Sequence, residues 1–398
     1  MYAVAQAGFV PTESELIDRA RKLVPVLRER APRTEDARKL LPETLNDFVE
    51  AGFYKILQPA KYGGYEMPPM TLYRVVMELA KGCPSSAWCL CLITIHNWEV
   101  ALLDPRVADD LWREDPDARA SSSYAPFGKV TVVDGGYRLS GRWHWSSGSD
   151  HCSWVILGGV VPREGDGPPD ARAFLVPRPD YKVVDVWHVV GLKGTGSNDI
   201  VVEDAFVPEY RTHQYAHSFA MTDPGLATFT SRNFKHSFGV VFAYCLSVVT
   251  LGIALGALET YQDDMKVRLG VFDGAKAMQD PFVRQRLAEA DAIIRGLQMR
   301  LEANFAEFDA LIDSGVPIPV EVRVRTKWDA QWIAKEALRA VELLFKASGA
   351  RGLRLDSPMQ RYFRDIHAAS NHAYLNADKG ALNAGLVLLG GETTDVVL

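Results

Sequence analysis

Between Ser237 and Leu258 the chain reads SFGVVFAYCLSVVTLGIALGAL, a run with no charged residue and enough length to cross a bilayer. Such a segment constrains the fold strongly, because its whole surface must be kept from water. It is either a membrane span or a helix enclosed by other helices. Tyr244, Ser247, Thr250 and three glycines dilute the apolar run, and no second span follows. The expectation is therefore no membrane but a helix buried on all sides, in a bundle or at a subunit interface, with Gly252 and Gly256 allowing close helix contact.

A chain of 398 residues, 47% of them hydrophobic, has enough elements to enclose it. Residues 12–115 carry helical spacing. Thr12 and Glu15 fit a capping box ahead of Leu16, Ala20, Leu23 and Leu27, and Pro25 is expected to kink that helix. A second helix runs from Pro42 to a stop at Gly52, and a third through TLYRVVMELAKG to Gly82. From about Ala118 to Pro208 the period falls to two, with KVTVV, YRLSGRWHW, SWVILGGVV, ARAFLVP and YKVVDVWHVV bounded by turn residues. In YRLSGRWHW, strict alternation puts Tyr137, Leu139, Gly141, Trp143 and Trp145 on one face. After Pro224 helix returns at about 226–269, 280–312, 319–348 and 358–391, divided at DGAKAMQDP, DSGVPIP and SGARGLRLDSP. The predicted architecture is mainly α with a middle β domain: helical 1–116, β 117–224, and a C-terminal four-helix bundle 225–398.

Charge and cysteine usage narrow the function. Net charge is −6 with no Lys/Arg-rich run, which leaves no electrostatic footprint for nucleic acid. Five cysteines in so long a chain make no disulfide framework, and MYAVAQAGFVPTESE lacks the basic-then-apolar pattern of a signal peptide, so the cytoplasm is expected. Cys83, Cys89 and Cys91 lack the paired knuckles of a zinc site; GCPSSAWCLCLITIH reads as a buried helix, and no metal is expected.

Three motifs carry chemistry. Ser146, Ser147 and Gly148 put two hydroxyls and a flexible residue at a strand end, suited to the edge of a planar heterocycle or to a plain strand-end turn. GTGSND, 194–199, offers small residues, hydroxyls and backbone N–H donors, and does not fit the G-x-G-x-x-G dinucleotide pattern. RDIHAASNHAYLN, 364–376, sets His367 and His372 five residues apart on what reads as one helix. That step turns a helix by about 500°, so only one histidine can face a small site.

GRWHWSSGSDHCSWVILGG, WHVVGLKGTGSNDIVVEDAFVPEYRT and SPMQRYFRDIHAASNH, in that order across nearly the whole chain, resemble the two-component flavin-dependent aromatic monooxygenases. These oxygenase components share the acyl-CoA dehydrogenase fold and are similar to 4-hydroxyphenylacetate 3-hydroxylase oxygenase. The resemblance implies reduced FMN or FAD (FMNH2 or FADH2), O2 as co-substrate, and hydroxylation of a small phenolic or indolic molecule through a C4a-hydroperoxyflavin. It implies a separate NAD(P)H:flavin reductase as partner and a homotetramer. By the same resemblance His372 and Ser147 are catalytic, the hydroxyl of Ser147 facing flavin N5, and His367 is structural. His96, Ser122 and Tyr374 line the substrate pocket. Trp143, Ser146, Ser147, Thr195 and Ser197 contact the flavin, and Arg268 binds a flavin phosphate across a subunit boundary.

Two other activities compete on the same fold. Relatives that oxygenate nitrogen or sulfur need no deprotonated phenol. An acyl-CoA dehydrogenase needs a carboxylate base near the C-terminus; the usual Tyr-Glu-Gly type segment is absent, leaving Glu259 and Glu392 without a supporting motif.

Overall fold

The computed structural model describes residues 10–163, 165, 167–270 and 274–398. Most of the N-terminal stretch that bears on targeting, and the first residue of the DGAKAMQDP break, lie outside the described residues. Thr12 caps α1 (Glu13–Ala37) through the predicted box, and the helix continues past Pro25 and Pro32. α2 (Pro42–Glu50), α3 (Pro69–Ala80), α4 (Pro84–Val100) and α5 (Pro105–Trp112) follow. Each has Pro in its first turn, where a missing N–H costs nothing.

Seven strands come next among the described residues: β1 (Ala120–Val133), β2 (Gly136–Ser146), β3 (Trp154–Val161), β4 (Asp170–Pro177), β5 (Tyr181–Val184), β6 (Asn198–Pro208) and β7 (Thr212–Gln214). They pair in the order β5-β6-β2-β1-β3-β4-β7, antiparallel except for β1 with β3. Val130, Leu139, Trp143, Val155, Phe174 and Ile200 are among the residues of the sheet's own core.

The strict alternation expected for β2 breaks at its end. Trp143 pairs with Ile200 but Ser146 with Asn198, so β2 carries one extra residue there, a bulge. Its outward residues are held by the buried carboxylate of Asp199, which accepts from Arg142 Nε at 2.7 Å and pairs with His144 Nδ1 at 3.0 Å. Trp145 adopts φ +66° and turns outward, 67% exposed, while Ser146 turns inward.

α6 (Tyr215–Ala220) leads to α7 (Phe238–Val267), α8 (Pro281–Ser314), α9 (Val320–Ser348), α10 (Pro358–Ser370) and α11 (Ala377–Leu388). The uncharged run forms α7, and 94% of its most apolar stretch is buried inside the chain's own elements. A Cβ at Gly252 would lie 2.6 Å from that of Ala80, and one at Gly256 would lie 2.9 Å from Lys81 Cα and from Tyr362, so both glycines let helices meet closely. Buried residues of the first helices and of the bundle form one continuous core around α7.

The fourth expected helix is interrupted. His372 Nδ1 accepts from Tyr374 N and the Asn376 side chain accepts from Lys379 N, so two capping residues stop α10 and start α11. His367 and His372 therefore do not share a helix. His367 packs on Phe363 and lies 3.3 Å from Glu342 of α9.

Candidate active site

α4 is the spine of the site. Trp88, Leu92, His96 and Glu99 recur at helical spacing along one stripe, and the sheet's strand ends meet it. At one end, Trp88 Nε1 donates to Ser147 Oγ at 3.1 Å. Ser147 Oγ lies 2.7 Å from Ser197 Oγ, which lies 2.7 Å from Thr195 Oγ1. The loop bearing Thr195 and Ser197 is pinned from below, since Leu192 N donates to Asp365 of α10 at 2.6 Å. Burial pushes that carboxyl up to about 7.

His372 joins this end through Trp88, their ring centroids 5.9 Å apart. The ring keeps an exposed surface, yet protein surrounds it so densely that burial pushes its pKa down to about 4. The imidazole is then neutral at pH 7. Nδ1 accepts a backbone N–H, so the ring proton sits on Nε2, which is a donor.

His96 has the opposite polarity. Its Nδ1 lies 3.0 Å from the Ala120 carbonyl, which only accepts, so Nδ1 carries the proton. Burial lowers the pKa of His96, opposed by the Glu99 charge and the Ala120 bond, and the neutral ring leaves a lone pair on Nε2. Ser122 Oγ lies 2.9 Å from that lone pair. Tyr124, Phe238 and Phe242 enclose the spot, His96 and Phe242 centroids being 5.9 Å apart.

Beyond it lies a buried charge cluster that the sequence reading did not pick out. Glu99 accepts from Tyr124 OH, His213 Nδ1 bonds Glu99 at 2.9 Å, and His213 Nε2 bonds Asp223 at 3.1 Å. Burial opposes charging His213, but the two carboxylates outweigh it and push its pKa up to about 9. Glu99, the one carboxylate on the buried helix α4, with His96 one turn before it, was the signal available.

The structure brings Ser147, Thr195, Ser197 and His372 to one end of the site, and His96 and Ser122 to the other. Tyr374 is two residues from His372, its ring over Lys327 and its buried hydroxyl without a partner among the described residues. Two expected contacts differ. Trp143 is fully buried in the sheet core with Nε1 bonded to Gly158 O at 2.8 Å, so it has no face for a flavin. Ser146 is turned inward by the bulge and donates to Ser121 at 2.9 Å. Arg268 ends α7, about 39 Å along that helix from Phe242, and bonds Ser348 O at 3.1 Å, apart from these residues within one chain.

The acyl-CoA dehydrogenase N-terminal domain pattern matches residues 11–102 and the C-terminal domain pattern residues 244–377. The chain is 40% identical to the flavin-dependent monooxygenase, oxygenase subunit HsaA, of Rhodococcus jostii, covering 94% of this chain and 98% of that one. It belongs to the flavin-dependent monooxygenase oxygenase components. Another member, the FADH(2)-dependent resorcinol hydroxylase oxygenase component of a Rhizobium strain, is 31% identical over 95% of this chain and 94% of its own. The crystal structure of 3-HSA hydroxylase from Rhodococcus sp. RHA1 superposes with a TM-score of 0.92 at 39% identity, covering 96% and 99% of the two chains. The dehydrogenase alternative also lacks its base: Glu259 pairs with Lys81 at 2.9 Å and Glu392 is exposed.

A flavin monooxygenase needs a planar flavin site, and the residues present fit one. Trp145 holds a left-handed backbone, which costs about 1–2 kcal/mol, in order to expose an indole face two residues before Ser147. A stacked heterocycle would account for that cost. We expect Trp145→Gly to stabilise the fold by about 1 kcal/mol in thermal unfolding while weakening reduced-flavin binding in anaerobic titration.

Proposed function

We propose that this chain hydroxylates a ring carbon of a small phenolic substrate, using O2 and reduced FMN or FAD delivered by a separate NAD(P)H:flavin reductase. The observation that carries it is the pair of neutral histidines of opposite polarity, a lone pair on His96 Nε2 and a proton on His372 Nε2. Reduced flavin, when bound, activates O2 and supplies the oxygen atom. Ser147, Thr195, Ser197 and the Trp145 face hold the flavin edge and plane. His96 takes the phenol's proton by way of Ser122, whose hydroxyl donates to the Nε2 lone pair and accepts from the phenol, which makes the ring electron-rich. His372 donates its Nε2–H toward the reacting oxygen and so acts as a donor rather than a base. A base of the His96 kind has no use in oxygenation at sulfur or at a nitrogen that already carries a free lone pair, which favours the phenol reading over those alternatives. Homotetramer packing and a cytoplasmic location belong to the same proposal; along α11 Leu382 and Leu388 are 77% and 85% exposed and suit burial by another copy. Arg268 would reach a flavin only across such an interface.

The test mixes the protein with photoreduced FMN or FAD, oxygenated buffer and a panel of phenols, and measures product formed per flavin oxidised. Hydrogen peroxide as the sole outcome with every phenol would overturn the proposal. His372→Ala is expected to lower that ratio by about tenfold or more, the worth of one hydrogen bond to a charged group. His372→Gln, which keeps a donor near the Nε2 position, retains most of it. Because burial pushes the pKa of His372 down to about 4, its contribution stays flat from pH 6 to 8 and changes only as pH falls toward 4, where a proton on Nδ1 breaks the bond from Tyr374 N that orients the ring.

A further inference from the structure

The hydroxyls at the Ser147 end form a chain whose direction is fixed. Thr195 Oγ1 lies 3.0 Å from the Leu192 carbonyl, which can only accept, so the single hydroxyl proton of Thr195 is committed there. Its 2.7 Å contact with Ser197 must then be donated by Ser197. The proton of Ser197 being committed in turn, the 2.7 Å contact between Ser147 and Ser197 is donated by Ser147. Trp88 Nε1–H donates to Ser147 at 3.1 Å and occupies one of its lone pairs. Ser147 is left with one lone pair and no proton to offer. Thr195 and Ser197 are buried, so water does not easily supply an alternative partner that would release the chain.

We propose that this one-way chain selects flavin by redox state: Ser147 can accept from the N5–H of reduced flavin but cannot donate to the bare N5 lone pair of oxidised flavin. The inference rests on the proposed placement of Ser147 opposite N5, and goes beyond it by assigning Thr195 and Ser197 as positioning residues for discrimination. Reduced flavin gains a hydrogen bond at N5; oxidised flavin brings two lone pairs face to face. Oxidation at the end of turnover thereby favours exchange of the spent flavin for a reduced one.

The test is the ratio of dissociation constants for oxidised and reduced FMN, and for the FAD pair, measured by titration with the reduced arm anaerobic. Wild type is expected to prefer the reduced form. Thr195→Val, nearly isosteric but unable to accept, frees Ser197 to donate to Ser147 and lets Ser147 point its own proton at N5. The ratio should fall by about tenfold, mainly through tighter binding of oxidised flavin. Thr195→Ser keeps the hydroxyl and should keep the ratio, which a merely structural role for Thr195 does not predict. Ser147→Ala should weaken reduced flavin and abolish the preference. If Ser147→Ala leaves both affinities unchanged, the placement of Ser147 fails and the inference with it. If Ser147→Ala weakens reduced flavin while Thr195→Val keeps the wild-type ratio, the placement stands and the selection by chain polarity is overturned.

Discussion

Replacing His96 by Ala is expected to slow product formation by about 10²- to 10⁴-fold, the usual contribution of a positioned base, while flavin oxidation continues and oxygen leaves as hydrogen peroxide. The reason is geometric. His96 spends its Nδ1–H on the Ala120 carbonyl and presents only a lone pair beside Ser122, so no other neutral group on the stripe can take the phenol's proton. The variant should recover product as pH rises toward the ordinary phenol pKa of about 10, because solvent then removes the proton instead. Product and peroxide yields across pH, with circular dichroism to check the fold, give the measurement. A variant as well coupled as wild type at neutral pH removes His96 from the mechanism.

The second large effect concerns stability. His213 joins Glu99 of α4 to Asp223 ahead of α7, and all three side chains are buried. His213→Gln removes the only cation of the trio and leaves two carboxylates in the core, a loss of about 3–5 kcal/mol expected when one partner of a buried ion network is deleted. Because the folded pKa of His213 is raised from 6.5 to about 9, its contribution is fully present below pH 6.5 and is lost as pH rises through 9. Wild type should therefore lose about 3 kcal/mol over that window. In the Gln variant that component of the slope vanishes. Urea unfolding at several pH values tests both statements, and an equally steep pH dependence in the variant counts against the imidazolium assignment.

These two expectations depend on features of unequal visibility in the sequence. An uncharged run of this length must be shielded whatever surrounds it, so α7 as the centre of a helical core was legible from Ser237 to Leu258 alone. The switch from helical to two-residue spacing near Ala118 was equally local, since each period reflects the geometry of a single element. The motifs around Ser147, Thr195 and His372 were legible because their residues are close in sequence and resemble those of a known family.

Where strict periodicity was extended too far, the tertiary structure decided otherwise. Alternation assigned Trp143 and Trp145 to one face of β2, but pairing with β6 inserts a bulge, anchored by Asp199 from that strand, which buries the first and exposes the second. Helical spacing carried His372 onto the same helix as His367, but His372 spends its own Nδ1 on capping a new turn. That bond also fixed the tautomer, as the Ala120 carbonyl did for His96. A residue type announces which atoms it offers; which of them remain free depends on partners distant in sequence. The chain by itself determined the elements, the buried centre and the kind of chemistry. The direction of each hydroxyl and imidazole, and so the division of labour between base and donor, was decided only when α4, the strand ends and the turn after α10 were brought together.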